Sequence, residues 1–268
     1  MTPTELQATT AEFERRGYWI ARQLLSVDET ELLSRVARKD QKLASQAYDR
    51  SDGEGRSARL TVVNDLPDDT IYAAIVRSER LVRPLERFLG GEVYHYHHKM
   101  IQKEANSGGA WNWHQDYGYW YENGCLFPWM ASCMIAVDRA TTENGCLQVL
   151  EGSHHMGRIG HVTQGNQTSA DLERMAHIEK RCGRVYCELE PGDALFFHCN
   201  LLHRSDRNDS DDPRWAFICC YNAARNDPYK THHHPNYSPL EVCAHERVSE
   251  IGESQLRRLE AAELAVGL

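Results

Sequence analysis

Up to Leu89, apolar residues recur at three- and four-residue spacing; from Glu92 onward they gather into short runs separated by turns. The first pattern predicts a helix over Thr4–Arg16, stopped by Gly17 and followed by the short strand Tyr18–Ile20. Ser26 with Glu29 three residues on forms a capping box, and Leu32, Leu33, Val36 and Leu43 extend it into one helix of about twenty residues. SDGEGRSAR is a polar loop and Leu60–Val63 a strand, after which Asp68–Leu89 reads as helical, broken before Pro84 and ended by Gly90-Gly91. The second pattern predicts strands at Val93–Lys103, Trp111–Asp116, Met130–Asp138, Cys146–Leu150, Val185–Leu189, Ala194–His198 and Trp215–Tyr221. Glu143-Asn144-Gly145 and Pro191-Gly192-Asp193 are turns, Ser169–Lys180 inserts one helix, and Glu246–Leu268 reads as a solvated helical tail. Helices first and strands after predict an α+β chain, mainly β, with a barrel or sandwich carrying the site. We expect one domain over 1–268, helical across residues 1–91, with a β core from about 92 to 223 and the tail from 246.

Composition narrows the class. The chain has 268 residues, a 41% hydrophobic and 26% charged content and a net charge of -9, which fit a globular protein and offer no basic stripe for nucleic acid. The first residues carry charge throughout and lack an apolar core, so they do not read as a secretory signal, and no apolar run is long enough to span a membrane. Nine scattered cysteines, with no C-x-x-C pair and with adjacent Cys219-Cys220 in an apolar run, read as free thiols in a reducing cytoplasm. A monomer or homodimer acting on a small molecule is the expectation.

The chemistry gathers in two stretches. WNWHQDYGYW puts His114 and Asp116 two residues apart, which on a strand would aim both at one ion, with Trp120 on the same face by alternation and lining the substrate cavity. PGDALFFHCNLLHRSD then supplies His203. Two histidines and one carboxylate with open positions form the facial set of non-haem Fe(II) oxygenases. Ser205 follows His203 by two residues and Arg214 by eleven, at the head of an apolar strand; a guanidinium there with a neighbouring hydroxyl suits the distal carboxylate of 2-oxoglutarate.

Together WHQDYGYW, ATTENGCLQVLEGSHHMGRI and PGDALFFHCNLLHRSD with Arg214 resemble the phytanoyl-CoA dioxygenase family, a branch of the Fe(II)- and 2-oxoglutarate-dependent oxygenases, over about Phe13–Tyr221. The resemblance implies a double-stranded β-helix, or jelly roll, with N-terminal helices packed against it. It implies His114, Asp116 and His203 as catalytic metal ligands and Arg214, Ser205 and, as a weaker third, Lys99 as co-substrate contacts. Lys99 is placed on one face with His95, His97 and Ile101 by period two, and Lys103 shares that face; spacing does not rank the two lysines. His198 competes with His203 but lacks the Ser and Arg at the family's offsets. His154-His155 reads as a surface pair and His232-His233-His234 as a solvated loop.

The activity implied is decarboxylation of 2-oxoglutarate with O2, coupled to hydroxylation of a small polar metabolite. Asp116 favours hydroxylation over halogenation, since halogenating relatives lack that carboxylate. Arg158 and His161 are placed to meet an anionic group of the substrate. Alternatives are an acyl-CoA substrate, a non-catalytic jelly-roll binding protein, or a zinc hydrolase, whose metal accepts the same ligands.

Overall fold

The computed structural model describes residues 3–164 and 167–266. Helices α1 (Pro3–Arg16), α2 (Val27–Lys39), α3 (Gln41–Ser45), α4 (Ile71–Arg77) and α5 (Glu79–Phe88) alternate with strands β1 (Tyr18–Ala21), β2 (Tyr48–Ser51) and β3 (Ser57–Val63). Then come β4 (Val93–Lys103), β5 (Trp111–His114), the one-turn helix α6 (Tyr117–Trp120), β6 (Met130–Ala136), β7 (Leu147–Leu150), β8 (His161–Gln164) and β9 (Gln167–Ala170). Helix α7 (Leu172–Ile178), β10 (Arg184–Cys187), β11 (Ala194–His198), β12 (His203–Ser205), β13 (Arg214–Ala223) and α8 (Glu246–Val266) complete the order.

The strands form a major antiparallel sheet, β1-β11-β6-β13-β4-β3-β2, and a minor one, β10-β7-β12-β5, with β8-β9 a separate hairpin. These two sheets make the jelly roll that the resemblance implied. The central strands read as unbroken apolar runs because the major sheet is covered on both faces. Along β13, Phe217, Cys219 and Tyr221 join the core under the helices, while Ala216, Ile218 and Cys220 face the interior of the roll. On β11, Phe196 and Phe197 divide the same way. Each such ring fully buried stabilises the fold by about 1.5–3 kcal/mol.

Several boundaries depart from the sequence expectation, each for a local reason. The long second helix is split at Asp40, whose backbone is extended and whose carboxylate caps α3 at Leu43 N (3.0 Å) while accepting from Tyr72 Oη. The third helical region breaks at Ser78, also extended and an N-cap, and Pro84 sits inside α5. The polar segment after Ala47 is a hairpin, β2–β3, that adds to the edge of the major sheet. The helix within Ser169–Lys180 is confined to α7, because Ser169 and Ala170 pair with β8. The tail is not solvated all round: Val248 and Leu256 are buried, and Gln255 accepts a hydrogen bond from Ile71 N at 2.7 Å. Ion pairs Arg35–Glu260 and Lys39–Glu263 tie α8 to α2.

Candidate active site

β5 and β12 are neighbours in the minor sheet, and their register sets His114 directly opposite His203. The chain leaves β5 at His114, and Asp116 is helical (φ -57°, ψ -37°), so strand alternation is not what aims it. A tight turn does so instead: Tyr119 and Trp120 N–H both donate to the Asp116 carbonyl. Gln115, fully buried between the ligands, anchors the turn by donating to the Gly157 and Asn200 carbonyls and accepting from Ile159 N. Gly118 permits the close approach of His161, whose ring a Cβ there would meet at 2.5 Å.

One nitrogen of each imidazole and one carboxylate oxygen lie within 4.8 Å of one another, and this is the one such cluster among the described residues. His114 Nδ1 is 2.7 Å from the Asn112 carbonyl and His203 Nδ1 is 2.9 Å from the Leu201 carbonyl. Those Nδ1–H groups donate to the backbone, which leaves Nε2 of each ring as a lone pair for a metal. Burial, with His203 beside it, lowers His114 to about 3, and burial also lowers His203. For Asp116, burial acts upward but Lys99, the two histidines and a 3.1 Å hydrogen bond from Ser132 Oγ outweigh it and hold the carboxyl low. Two neutral imidazoles and a carboxylate result at neutral pH, the protonation state a divalent ion requires. The donor set fits iron or zinc.

The triad opens into a cavity of about 770 Å³ between the sheets. Arg214 enters it fully buried; its Nη2 donates to the Gly145 carbonyl at 2.8 Å, and its Nε has no protein partner. Gly145 can serve there because it adopts φ +75°, and a Cβ would meet the Asp206 carbonyl at 2.3 Å. Burial lowers Arg214 to about 10, and no carboxylate pairs with it among the described ion pairs. Ser205 lines the same end of the cavity. A carboxylate entering here would satisfy the guanidinium and fit the two expected contacts.

The two lysines have different surroundings. Lys99 Nζ lies 3.9 Å from Asp116 Oδ1, whereas Lys103 Nζ donates to Ser205 Oγ at 2.8 Å. A β-bulge at Tyr96 corrects the expected face of β4: Cys220 pairs with His97 but Tyr221 with His95. His97, Lys99 and Ile101 therefore point inward, while His95 turns to the helical side and contacts His98 at 3.1 Å.

Trp120 lines the cavity as expected, although it does so from α6 rather than by strand alternation, edge-on to Tyr96 and His97. His234 is a residue that sequence reasoning missed. Instead of lying in solvent it stacks on His97, with centroids 4.3 Å and planes 20° apart. Asn64 holds it there, donating to the His233 carbonyl at 2.7 Å and meeting His234 Nδ1 at 2.9 Å. Arg158 stands at the cavity rim, paired with Glu122 at 2.7 Å. His161 takes Gln115 N–H on Nε2 and donates from Nδ1 to the Ile159 carbonyl, so both nitrogens are used and it is not the anion contact expected. His198 lies outside the cavity lining, packed against Phe13 and His154.

A family model described as Phytanoyl-CoA dioxygenase (PhyH) matches residues 13–216. The chain belongs to the phytanoyl-CoA dioxygenase family. Within it, the chain is 32% identical over 193 residues to L-proline trans-4-hydroxylase of Streptomyces griseoviridis, covering 65% of this chain and 71% of that one. It is 28% identical over 232 residues to ectoine dioxygenase of Sphingopyxis alaskensis, covering 81% and 75%. A crystal structure of EctD from S. alaskensis with bound Fe superposes with a TM-score of 0.73 at 23% identity, over 91% of this chain and 88% of that one. Another holds 2-oxoglutarate and 5-hydroxyectoine, again with a TM-score of 0.73. This family likeness agrees with the jelly roll and favours iron over zinc for the His-Asp-His set.

Proposed function

We propose that this protein is an Fe(II)- and 2-oxoglutarate-dependent hydroxylase of a small, polar, zwitterionic metabolite, and that the whole chain works as one catalytic domain. The observation that carries the reading is Arg214: a buried guanidinium without a carboxylate partner among the described residues, opening into the same cavity as the triad. A zinc hydrolase has no use for a dicarboxylate anchor beside its metal, and a binding protein has no use for an open metal site.

In this reading His114, Asp116 and His203 hold the iron, and Arg214 with Ser205 holds the distal carboxylate of 2-oxoglutarate. Bound Fe(II) supplies the activation of O2 that converts 2-oxoglutarate to succinate and CO2 and places one oxygen atom on the substrate. The chain's own contribution is positional. Nδ1–H donation to backbone carbonyls keeps both imidazoles in one tautomer, and the Ser132 hydrogen bond orients Asp116. Trp120, His97 and His234 wall the substrate side, with Tyr96 packed behind Trp120 and His234, and exclude water.

The relatives named for L-proline and ectoine support a compact zwitterion. Engagement of Arg158 by Glu122, and of both His161 nitrogens by the backbone, speaks against a phosphate-rich acyl-CoA. Asp116 occupies the position a halide would need, which favours hydroxylation. The test is succinate release with Fe(II), 2-oxoglutarate and O2 across a panel of cyclic imino acids and ectoine. Stimulation above the substrate-free rate by a panel member supports the reading; stimulation only by acyl-CoA thioesters would overturn the substrate class.

A further inference from the structure

Asn64, just past the end of β3, holds the segment 232–234 through both halves of its amide. The amide nitrogen lies 2.7 Å from the His233 carbonyl, which can only accept, so the amide oxygen is the atom that faces His234 Nδ1 at 2.9 Å. That oxygen also only accepts. Nδ1 of His234 therefore carries the proton, and Nε2, across the ring, keeps its lone pair. Nε2 makes no hydrogen bond among the described residues, and His234 lines the cavity, stacked on His97. Asn64 does for His234 what backbone carbonyls do for His114 and His203.

Burial, with His233, His232 and Lys99 nearby, lowers His234 to about 3, and burial also lowers His97 beneath it, so the stack is two neutral rings at neutral pH. An anion at Nε2 would first need a proton placed there, a penalty on the order of ten-thousandfold at pH 7, whereas a donor N–H needs none. The two carboxylates in the cavity lining are both engaged, Asp116 in the triad and Glu122 with Arg158, so neither is open to a cationic nitrogen of the substrate. We propose that His234 is a specificity-determining residue that accepts a hydrogen bond from an N–H of the substrate's cationic nitrogen, and that Asn64 is the positioning residue that fixes its tautomer. The site then prefers a zwitterion whose nitrogen is protonated over a quaternary betaine. This rests on the reading of the cavity as that of a small-zwitterion hydroxylase. His234 lies outside residues 13–216, which the family model matches, so the contact belongs to this chain's own C-terminal segment.

The experiment measures binding of L-proline, ectoine and N,N-dimethyl-L-proline, which has no N–H, to the protein loaded with Fe(II) and 2-oxoglutarate without oxygen. The wild type should bind L-proline or ectoine at least about tenfold more tightly than the dimethyl compound. His234→Phe keeps a stacking ring but has no acceptor, and it should weaken the N–H ligand roughly ten- to a hundredfold while the dimethyl compound changes less than about twofold. His234→Gln, with a side-chain carbonyl, should recover part of the loss. Asn64→Leu, at an exposed position, should shrink the preference for the N–H ligand several-fold and leave Fe(II) and 2-oxoglutarate affinities within about twofold. Equal binding of N–H and dimethyl ligands by the wild type, or a His234→Phe variant that loses neither or loses both equally, overturns the proposal. An unchanged preference in Asn64→Leu overturns the tautomer lock, and this variant decides if His234→Phe does not fold. A wild type that binds Fe(II) and 2-oxoglutarate but none of the three ligands overturns the small-zwitterion reading as well, which separates the two failures.

Discussion

His114 and His203 face each other across the β5–β12 ladder, their ring centroids 4.1 Å apart. One strand pairing thus sets two of the three ligands, and a backbone carbonyl two residues back along the chain fixes the tautomer of each.

His203→Ala should lose Fe(II) binding and succinate formation together, since no neighbouring imidazole can replace it. His198→Ala should retain both, because His198 packs against Phe13 and His154 outside the cavity. Fe(II) titration of the two variants checks this, and the reverse outcome would show that the third ligand has been misassigned.

Asp116→Ala should abolish hydroxylation and also destabilise the metal-free protein. Lys99, 3.9 Å from that carboxylate and largely shielded from solvent, would be left as an uncompensated cation on the cavity wall. Urea unfolding of Asp116→Ala and of Asp116→Ala/Lys99→Met separates the effects: the second substitution should restore much of the stability and none of the activity.

Arg214→Ala should weaken 2-oxoglutarate binding roughly a hundredfold or more, and Arg214→Lys should recover only a fraction, because an ammonium cannot reproduce the planar fork. Fe(II) affinity should be unchanged in both. Equal 2-oxoglutarate affinities across wild type and variants would make Arg214 a structural residue.

Acid should destabilise the fold before its carboxylates protonate. Burial lowers His98 to about 3, and burial together with His154 and His155 lowers His198 to about 3, from an ordinary 6.5. As pH falls through 6.5 the unfolded chain takes up these protons first, so stability is full above 6.5 and declines toward 3, by up to about 1.4 kcal/mol per pH unit for each group. Unfolding midpoints between pH 7 and 4 measure the slope, and it should be shallower in His198→Gln.

Much of the fold was legible because its strands are buried on both faces: the runs Val93–Lys103 and Ala194–His198 appear with the expected limits. The three residues His114, Asp116 and His203 were legible as a set because their chemistry is rare in combination. What escaped depends on contacts that a sequence does not display. The break at Asp40 reflects a side chain that caps the next helix, and the burial of α8 reflects a partner helix distant in sequence. His234 carried a solvent-like signal, flanked by other histidines, prolines and asparagines, and only the reach of Asn64 from the end of β3 draws it over the cavity.

The bulge at Tyr96 gives β4 a constraint of length rather than of chemistry. Beyond it, Lys99 faces the cavity and Lys103 reaches Ser205 only because one extra residue shifts the phase of the strand. Side chains along β4 can be exchanged singly at local cost. Removing one residue at the bulge would exchange the two faces between there and the strand end, turning both ammonium groups toward the apolar layer under the helices and leaving Met100 in the cavity. The count of residues between Tyr94 and Lys103 therefore belongs to the active site as much as the residues themselves do.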